Sequence, residues 1–162
     1  MTYNVSTTGS VATQELAASL APFLRGGQVL ELVSDLGGGK TTFVQGLAKG
    51  WGFGGDVGSP TFTINRVYHL KPELEVHHYD LYRLGDTGVV GDELAEDLND
   101  PQVITVIEWA DIARSQLPAD RLTITFAVTA EDSRELSLVA GGPISGQILS
   151  QWQTSRESEA TS

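Results

Sequence analysis

Apolar residues along this chain recur at two spacings. Short runs of apolar and β-branched residues predict strands, and apolar positions three and four residues apart predict helices. The predicted strands cover residues 3–8, 28–33, 64–70, 74–79, 103–107, 122–128 and 135–139. The predicted helices begin at Ser10, just after the glycine-rich loop near residue 40, near Asp92, after Trp109 and at Ile144. This alternation of strands and helices is typical of an α/β protein.

Three details refine this pattern. The strands at 64–70 and 74–79 are separated by Lys-Pro-Glu, which predicts a hairpin, an antiparallel insertion in an otherwise parallel scheme. The continuous apolar run at 103–107 is typical of a strand covered on both faces. The last helix is expected at 144–152, so residues 1–152 form one domain and the polar segment 153–162 a flexible C-terminal tail.

The strand at 28–33 leads directly into a glycine-rich segment, Ser-Asp-Leu-Gly-Gly-Gly-Lys-Thr-Thr, at residues 34–42. Such a loop turns successive backbone N–H groups toward one point and forms a concave anion site. Lys40 can then reach the β- and γ-phosphates of a nucleotide, and a hydroxyl directly after it can hold Mg²⁺. The alternative is a glycine-rich turn without a ligand, which the lysine, the threonines and the flanking elements disfavour.

Ser34 departs from the phosphate-loop pattern, in which four residues separate a first glycine from the Gly-Lys pair. Glycine at that position usually serves a tight backbone path. We therefore expect an anion site whose loop geometry and nucleotide affinity differ from those of an all-glycine loop.

Two acidic residues end predicted strands. Asp80 follows the strand at 74–79, and Glu108 follows the strand at 103–107. Ligands of α/β sheets collect at the carboxyl ends of strands, so both residues suit a site for metal and phosphate. An acid there can hold Mg²⁺ or orient the attacking water. The alternative for each residue is a helix cap or a surface charge.

Other residues with chemical potential are less specific. Thr61 lies on a glycine-flanked loop and could reach a γ-phosphate or its Mg²⁺, although an ordinary turn fits equally well. His77 and His78 are adjacent in a strand, so they point to opposite faces and do not share an ion; we interpret them as ordinary sheet residues. Trp109 could stack on a base or pack in the core.

Composition narrows the classes of function. The chain has 162 residues, 40% of them hydrophobic, and no cysteine, so disulfides and thiolate zinc sites are excluded. It shows neither a signal peptide nor an apolar stretch long enough to cross a membrane, and we expect a cytoplasmic protein. The formal net charge of −11 would repel a polyanion. We therefore expect no DNA binding and a tRNA role only through a partner.

Four motifs then occur in order along the chain. They are Asp-Leu-Gly-x-Gly-Lys-Thr-Thr-Phe at 35–43, Ser-Pro-Thr-Phe-Thr at 59–63, Tyr-Asp-Leu-Tyr-Arg-Leu at 79–84 and Ile-Glu-Trp-Ala at 107–110. Together they resemble TsaE, the small ATPase family of bacterial tRNA threonylcarbamoyladenosine synthesis. The resemblance extends over nearly the whole chain, through Leu117-Pro118 to the Ser133-Arg134 segment.

This resemblance implies a fold and an activity. The fold would be a P-loop NTPase-like three-layer α/β sandwich with a mixed, mostly parallel sheet. The activity would be binding of ATP with Mg²⁺ and slow ATP hydrolysis. The family also implies docking onto the TsaD–TsaB pair, which transfers the threonylcarbamoyl group to adenosine 37 of tRNA.

The resemblance also implies roles for matched residues. The expected catalytic residues are Lys40 on the phosphates and Glu108 on the metal and the attacking water, with Asp80 as the Walker B acid. The expected metal ligands are Thr41, Thr42, Asp80 and Glu108. The expected nucleotide-binding residues are Asp35, Leu36, Gly37, Gly38, Gly39, Lys40, Thr41, Thr42, Thr61, Trp109, Ser133 and Arg134.

Two alternative functions stay open at this point. A small-molecule kinase could use Arg114 and Arg121 as lid arginines, although no acceptor-binding motif is visible. A nucleotide-dependent scaffold with negligible hydrolysis would result if Ser34 distorts the loop. A GTPase is disfavoured because no Asn-Lys-x-Asp motif follows the phosphate loop.

Overall fold

The computed structural model describes residues 1–35, 37–58 and 64–162. The strands are β1 (Thr2–Thr8), β2 (Val29–Val33), β3 (Asn65–Lys71), β4 (Leu74–Asp80), β5 (Val103–Glu108), β6 (Leu122–Val128) and β7 (Ser133–Ala140). The α-helices are α1 (Gly9–Leu20), α2 (Lys40–Gly50), α3 (Gly88–Leu98) and α4 (Pro143–Ala160), and 3₁₀ helices cover Ala21–Phe23 and Ala110–Gln116. Within these described ranges, no helix combines the length and the apolar character that spanning a bilayer requires.

All seven strands belong to one sheet with the order β1-β7-β6-β2-β5-β4-β3. The central strands β6, β2, β5 and β4 run parallel to one another. β3 pairs antiparallel with β4, which confirms the predicted hairpin. β7 is antiparallel to β6, and β1 is antiparallel to β7, so β1 points the same way as the central strands. The sheet is therefore mixed, with most strands in one direction, as expected.

Helices cover both faces of this sheet and give three layers. Alternate side chains of a strand point to opposite faces. Leu30 of β2 and Ile104 of β5 belong to the larger apolar cluster, together with residues of α1, α2 and α4. Ile107 of β5 belongs to the smaller cluster, together with Leu94 of α3. β5 is buried along its whole length, which confirms the prediction of a strand covered on both faces.

Helix α2 is held against α1 at a glycine. A Cβ atom on Gly46 would lie 2.4 Å from the carbonyl oxygen of Gln14. Glycine at this position therefore allows the two helix backbones to approach closely. This packing fixes the helix whose first turn follows the glycine-rich loop.

The C-terminal helix corrects one prediction. The expected end at Trp152 is wrong, because α4 continues to Ala160 and so includes most of the segment expected to be a flexible tail. No glycine or proline follows Gly146, so nothing in the sequence stops the helix. Polar side chains support it instead: Gln153 donates to Glu157 Oε1 at 3.0 Å, four residues further on.

Candidate nucleotide site

The glycine-rich loop joins the end of β2 to the start of α2, as predicted. Gly39 stands immediately before the helix with φ 108°, a left-handed conformation that favours glycine. The N–H of Phe43 donates to the Gly39 carbonyl at 3.0 Å and closes the first turn. The first N–H groups of a helix lack partners within the helix, and its dipole is positive at this end. The N-terminus of α2 is therefore suited to an anion.

A cavity of about 250 Å³ opens at this helix N-terminus. It is lined by the glycine-rich loop, the start of α2 and the ends of two neighbouring strands. The lining residues are Gly37, Gly38, Gly39, Lys40, Thr41, Thr42, Asp80, Glu108 and Trp109. We call this space the phosphate cavity. It brings together most of the residues that the sequence singled out, while their roles stay predictions.

The two acidic residues come from adjacent parallel strands. Asp80 is the last residue of β4 and lies opposite Glu108, the last residue of β5, in the strand register. Asp80 Oδ1 accepts the N–H of Tyr82 at 3.1 Å, which shapes the turn after β4. Glu108 is only 2% exposed. The register alone therefore places two carboxylates side by side at the edge of the phosphate cavity.

His78 contacts one of these carboxylates. Its Nε2 atom lies 2.6 Å from Glu108 Oε2, and its side chain is fully buried. The sequence predicts an ordinary sheet residue at this position and does not predict its contact with Glu108. A signal was present, because His78 lies two residues before Asp80 and so shares its face of the sheet.

Lys40 is largely buried beside the carboxylates, with 7% of its surface exposed. Its Nζ atom lies 4.0 Å from the centre of the Trp109 ring and donates to the Ser34 carbonyl at 3.3 Å. Burial lowers the pKa of the Lys40 ammonium group, and the carboxylates of Glu108 and Asp80 offset that shift only in part. The ammonium group is thus held at the cavity by a ring face and a carbonyl.

Trp109 forms one wall of the phosphate cavity. Its φ angle is +56°, in the left-handed region that residues other than glycine rarely adopt. Its ring packs against Tyr82, with centroids 4.8 Å apart, in addition to facing Lys40. The two sequence interpretations were base stacking and core packing. The ring in fact borders the cavity and is partly packed against the smaller apolar cluster.

A second cavity of about 180 Å³ adjoins the first, since both are lined by Gly39 and Thr42. We call it the turn cavity, because the turn between β6 and β7 and the start of α1 form it. Its lining residues are Gly9, Ser10, Thr13, Gly39, Thr42, Glu131, Asp132 and Arg134. Arg134 also donates through Nε to the Gly38 carbonyl at 3.2 Å. The resemblance to TsaE implies a role for the arginine but not for Gly9, Ser10 or the acidic turn.

Some predicted site residues lie elsewhere. Asp35 lines a separate neighbouring cavity, which it shares with Trp109. Ser133 pairs with Thr8 in the sheet and lines neither the phosphate cavity nor the turn cavity. Leu36 and Thr61 lie outside the described residues.

The arginines considered for a kinase lid have other partners. Arg121 Nε contacts the buried Glu31 carboxylate at 2.7 Å, and Arg114 contacts Asp111 at 2.8 Å. Neither arginine lines the phosphate cavity. This placement gives no support to a lid over a transferred phosphoryl group.

His77 points away from the site, as its neighbour's opposite orientation predicts. Its ring nitrogens contact Asp97 at 2.6 Å and Glu75 at 2.9 Å. Burial alone would lower the pKa of His77, but the hydrogen bonds to Glu75 and Asp97 outweigh it and raise the pKa. Tyr79 also donates to Asp97, so this network joins β4 to α3. Across the described ranges, no three His, Asp or Glu side chains form a metal-binding cluster.

The fold and this arrangement define a three-layer α/β protein with a mixed, mostly parallel sheet, in which a glycine-rich loop precedes a helix and acids end the neighbouring strands. Sequence comparison narrows the class. The family model for "Threonylcarbamoyl adenosine biosynthesis protein TsaE" matches residues 7–136. The chain belongs to the TsaE family, which confirms the resemblance of its motifs.

Known relatives agree with this assignment. The tRNA threonylcarbamoyladenosine biosynthesis protein TsaE of Bacillus subtilis is 38% identical over 135 residues, covering 80% of each chain. The protein of the same name from Streptomyces coelicolor is 36% identical over 134 residues, covering 80% of this chain and 90% of that one. The crystal structure of Bacillus subtilis YdiB superposes with a TM-score of 0.81 at 29% identity, covering 96% of this chain and 97% of that one. The chain is thus a member of a family of tRNA threonylcarbamoyladenosine biosynthesis.

Proposed function

We propose that this chain binds ATP with Mg²⁺, hydrolyses it slowly, and thereby supports the complex that forms threonylcarbamoyladenosine at adenosine 37 of tRNA. The observation that carries the proposal is the convergence of Lys40, Thr41, Asp80 and Glu108 on the phosphate cavity. Family membership supplies the pathway.

The phosphate chain would lie on the N-terminal turn of α2. Unpaired N–H groups and the helix dipole favour negative charge there, and Lys40 adds an ammonium group that binds phosphate as a point charge. The lysine is already directed at the cavity by Trp109 and Ser34. Little side-chain reorganisation is therefore needed for binding.

The donor set fits Mg²⁺. This ion prefers oxygen ligands and is usually held by one or two carboxylates together with substrate phosphates. The Asp80 carboxylate and the Thr41 hydroxyl would hold it, with Glu108 beside them. When bound, the ion neutralises charge on the β- and γ-phosphates. Glu108 would orient the attacking water with its buried carboxylate.

The turn cavity would take the nucleoside. It continues from the phosphate cavity through Gly39 and Thr42, and its lining includes neither Asp80 nor Glu108. Arg134 is bonded to the loop through the Gly38 carbonyl and borders this space. An arginine there can lie against a base or a ribose while it stays attached to the loop.

The proposed partners are TsaD and TsaB, with tRNA contacted only through them. The formal charge of −11 argues against direct tRNA binding, because a protein that holds nucleic acid by itself needs a basic face. An acidic ATPase that acts on partner proteins agrees with this charge.

Calorimetry with Mg–ATP tests the binding step. Lys40→Ala removes a charged hydrogen-bond donor worth roughly 1.5–3 kcal/mol, which corresponds to roughly a 10- to 150-fold loss of affinity. Lys49→Ala is the matched control, because Lys49 lies on the same helix and contacts Gln14 outside the cavity. Absence of binding by the parent, or equal affinities for the two variants, would contradict the proposal.

Phosphate release tests the hydrolysis step. Glu108→Gln is expected to lower turnover by roughly 100-fold or more, since positioned acid–base groups contribute that much, and to lower nucleotide affinity far less. Binding of Mg–ATP without measurable phosphate release by the parent, alone or with TsaD and TsaB, would favour the scaffold alternative.

Mixing purified TsaD–TsaB with the chain, with and without Mg–ATP, then tests docking by size-exclusion chromatography.

A further inference from the structure

His78 and Glu108 form a buried pair on the sheet. The His78 side chain is 0% exposed and the Glu108 side chain 3%. Nε2 and Oε2 are 2.6 Å apart, within hydrogen-bond distance. Glu108 also borders the phosphate cavity, whereas His78 does not. The histidine therefore contacts the acid from the protein side.

Strand register explains this geometry. Glu108 lies opposite Asp80, and His78 lies opposite Val106, so His78 and Glu108 are diagonal neighbours on one face of the sheet. Diagonal positions are within reach of long and aromatic side chains. The Tyr68 ring lies on the neighbouring strand, 6.5 Å from the imidazole centroid. Sheet and ring together fix the orientation of the imidazole.

The proposed function sets the direction of this contact. A carboxylate that orients the attacking water is ionised and only accepts hydrogen bonds, so in that role Nε2 carries the proton and donates it to Glu108. Nδ1 has no partner within the described residues. Buried polar atoms without a partner are rare, and in native structures they call for an explanation such as a catalytic role. Among the described residues, the imidazole of His78 therefore forms its hydrogen bond with Glu108.

We propose that His78 is a positioning residue for Glu108. Its Nε2–H holds one carboxylate oxygen in place and leaves the other for the phosphate cavity that Glu108 lines. The inference rests on the proposed ATPase function, in which Glu108 orients the attacking water. Without this bond the carboxylate can rotate, so turnover falls while the phosphate-binding loop and nucleotide affinity stay intact.

Three substitutions test this role. His78→Phe keeps a ring and removes the donor, and we expect turnover to fall about 10- to 100-fold, as is typical when a hydrogen-bond partner of a metal-site residue is lost. His78→Gln offers an amide N–H close to the position of Nε2 and should restore part of the turnover. His77→Gln is the matched control, because its side chain lies on the opposite face and contacts Asp97 and Glu75. The Mg–ATP dissociation constant should change less than about threefold in all three variants.

A double-mutant cycle separates positioning from a general effect on folding. In a Glu108→Gln background, His78→Phe should have no further effect on turnover, since there is no longer a carboxylate to orient. The same cycle is then measured by urea unfolding without nucleotide. The two substitutions together should change the free energy of unfolding by a different amount from the sum of their separate changes. Parent-like turnover of His78→Phe, equal losses in affinity and turnover, or additive effects in both cycles would overturn the proposal.

Failure of the proposed function has a different signature. If the parent neither binds nor hydrolyses Mg–ATP, the ATPase assignment fails, and the role of His78 fails with it. If the parent is active and His78→Phe equals it, only the role of His78 is refuted. If His78→Phe does not fold, His78→Gln is compared in the parent and in the Glu108→Gln background. Our proposal requires that His78→Gln changes turnover in the parent and has no effect on turnover when Glu108 is replaced.

Discussion

Ser34 and Gly38 form a contact in the glycine-rich loop that substitutions can break and restore. A Cβ atom on Gly38 would lie 2.4 Å from Ser34 Oγ and 2.5 Å from Ser34 Cβ. Rotation of the hydroxyl cannot relieve this overlap, because Ser34 Cβ is attached directly to the backbone. Gly38 is absent from the glycines with positive φ, so contact and not backbone conformation excludes alanine there. The next atom, the Asp35 carbonyl oxygen, would lie 3.1 Å away and so crowds the Cβ atom much less. Gly38→Ala should therefore disturb the loop mainly while residue 34 has a side chain.

The size of the effect follows from the overlap. Forcing an extra carbon into a filled space typically costs about 1–3 kcal/mol, or roughly 5- to 150-fold in an equilibrium constant. Ser34→Gly removes the obstructing atoms and also the hydrogen bond from Ser34 Oγ to the Asp35 carbonyl, which is 2.8 Å long. The double variant should therefore recover most of what Gly38→Ala loses. On this reasoning, the chain accommodates serine in place of the usual loop glycine because position 38 has no Cβ.

Gly37→Ala is the matched control. Gly37 has φ +76°, and a Cβ there would meet no atom within 4 Å. Alanine at this position costs roughly 1–2 kcal/mol through backbone strain alone. Ser34→Gly cannot relieve that strain. The two neighbouring glycines thus separate a steric cause from a conformational one.

Two double-mutant cycles provide the assay, one for Ser34 with Gly38 and one for Ser34 with Gly37. Urea unfolding of each variant gives the free energy of unfolding, and calorimetry with Mg–ADP reports the loop itself. We expect a coupling energy above about 1 kcal/mol for the first cycle and one within about 0.5 kcal/mol of zero for the second. Zero coupling in the first cycle, or equal coupling in both, would refute the steric reasoning.

Three further predictions concern stability. The pKa of His77 is raised in the folded state, so protonated His77 stabilises the fold. This stabilisation is fully present below pH 6.5, the ordinary pKa of histidine, and is lost as the pH rises through the folded-state pKa. His77→Gln should abolish this decline in the free energy of unfolding measured with urea, and parallel pH curves for the parent and the variant would contradict the prediction. Glu31→Ala should lower the free energy of unfolding in the same assay by close to the lower end of roughly 3–5 kcal/mol, because it removes the carboxylate that pairs with the guanidinium of Arg121, whose side chain is 22% exposed. Deletion of residues 153–162 removes the Arg156 guanidinium that lies 5.3 Å from the Trp152 ring, and should cost only about 0.5–1 kcal/mol of unfolding free energy; a larger loss would show that the end of α4 is part of the core.

The parts of the site that the sequence predicts are those with local signals. The loop around Lys40 is recognisable because glycines, lysine and threonines are contiguous. Asp80 and Glu108 are recognisable because each directly follows a run of strand-forming residues. Parallel strands then bring both acids to one edge of the sheet, a consequence of topology that needs no side-chain detail.

The parts that the sequence does not predict depend on register between distant segments. The contact of His78 with Glu108 requires that β4 and β5 pair with Asp80 opposite Glu108. The turn cavity requires that β1 pair with β7, which brings Gly9 to the carbonyl of Asp132 at 2.7 Å. Neither pairing is visible from spacing along the chain. The length of α4 was missed for another reason, since its polar residues carry no apolar periodicity and only the absence of a stop signal marks them.

Charge around Lys40 explains why metal and nucleotide must act together in the proposed function. Asp80 and Glu108 border the same cavity as the lysine, in a chain of net charge −11. A triphosphate alone would therefore meet two carboxylates with one ammonium group to offset them. A divalent cation between carboxylates and phosphates converts that repulsion into attraction, because the ion is the largest local charge. The carboxylates that oppose the nucleotide without the metal thus become the groups that favour it when the metal is bound, and affinity for ATP should depend steeply on Mg²⁺.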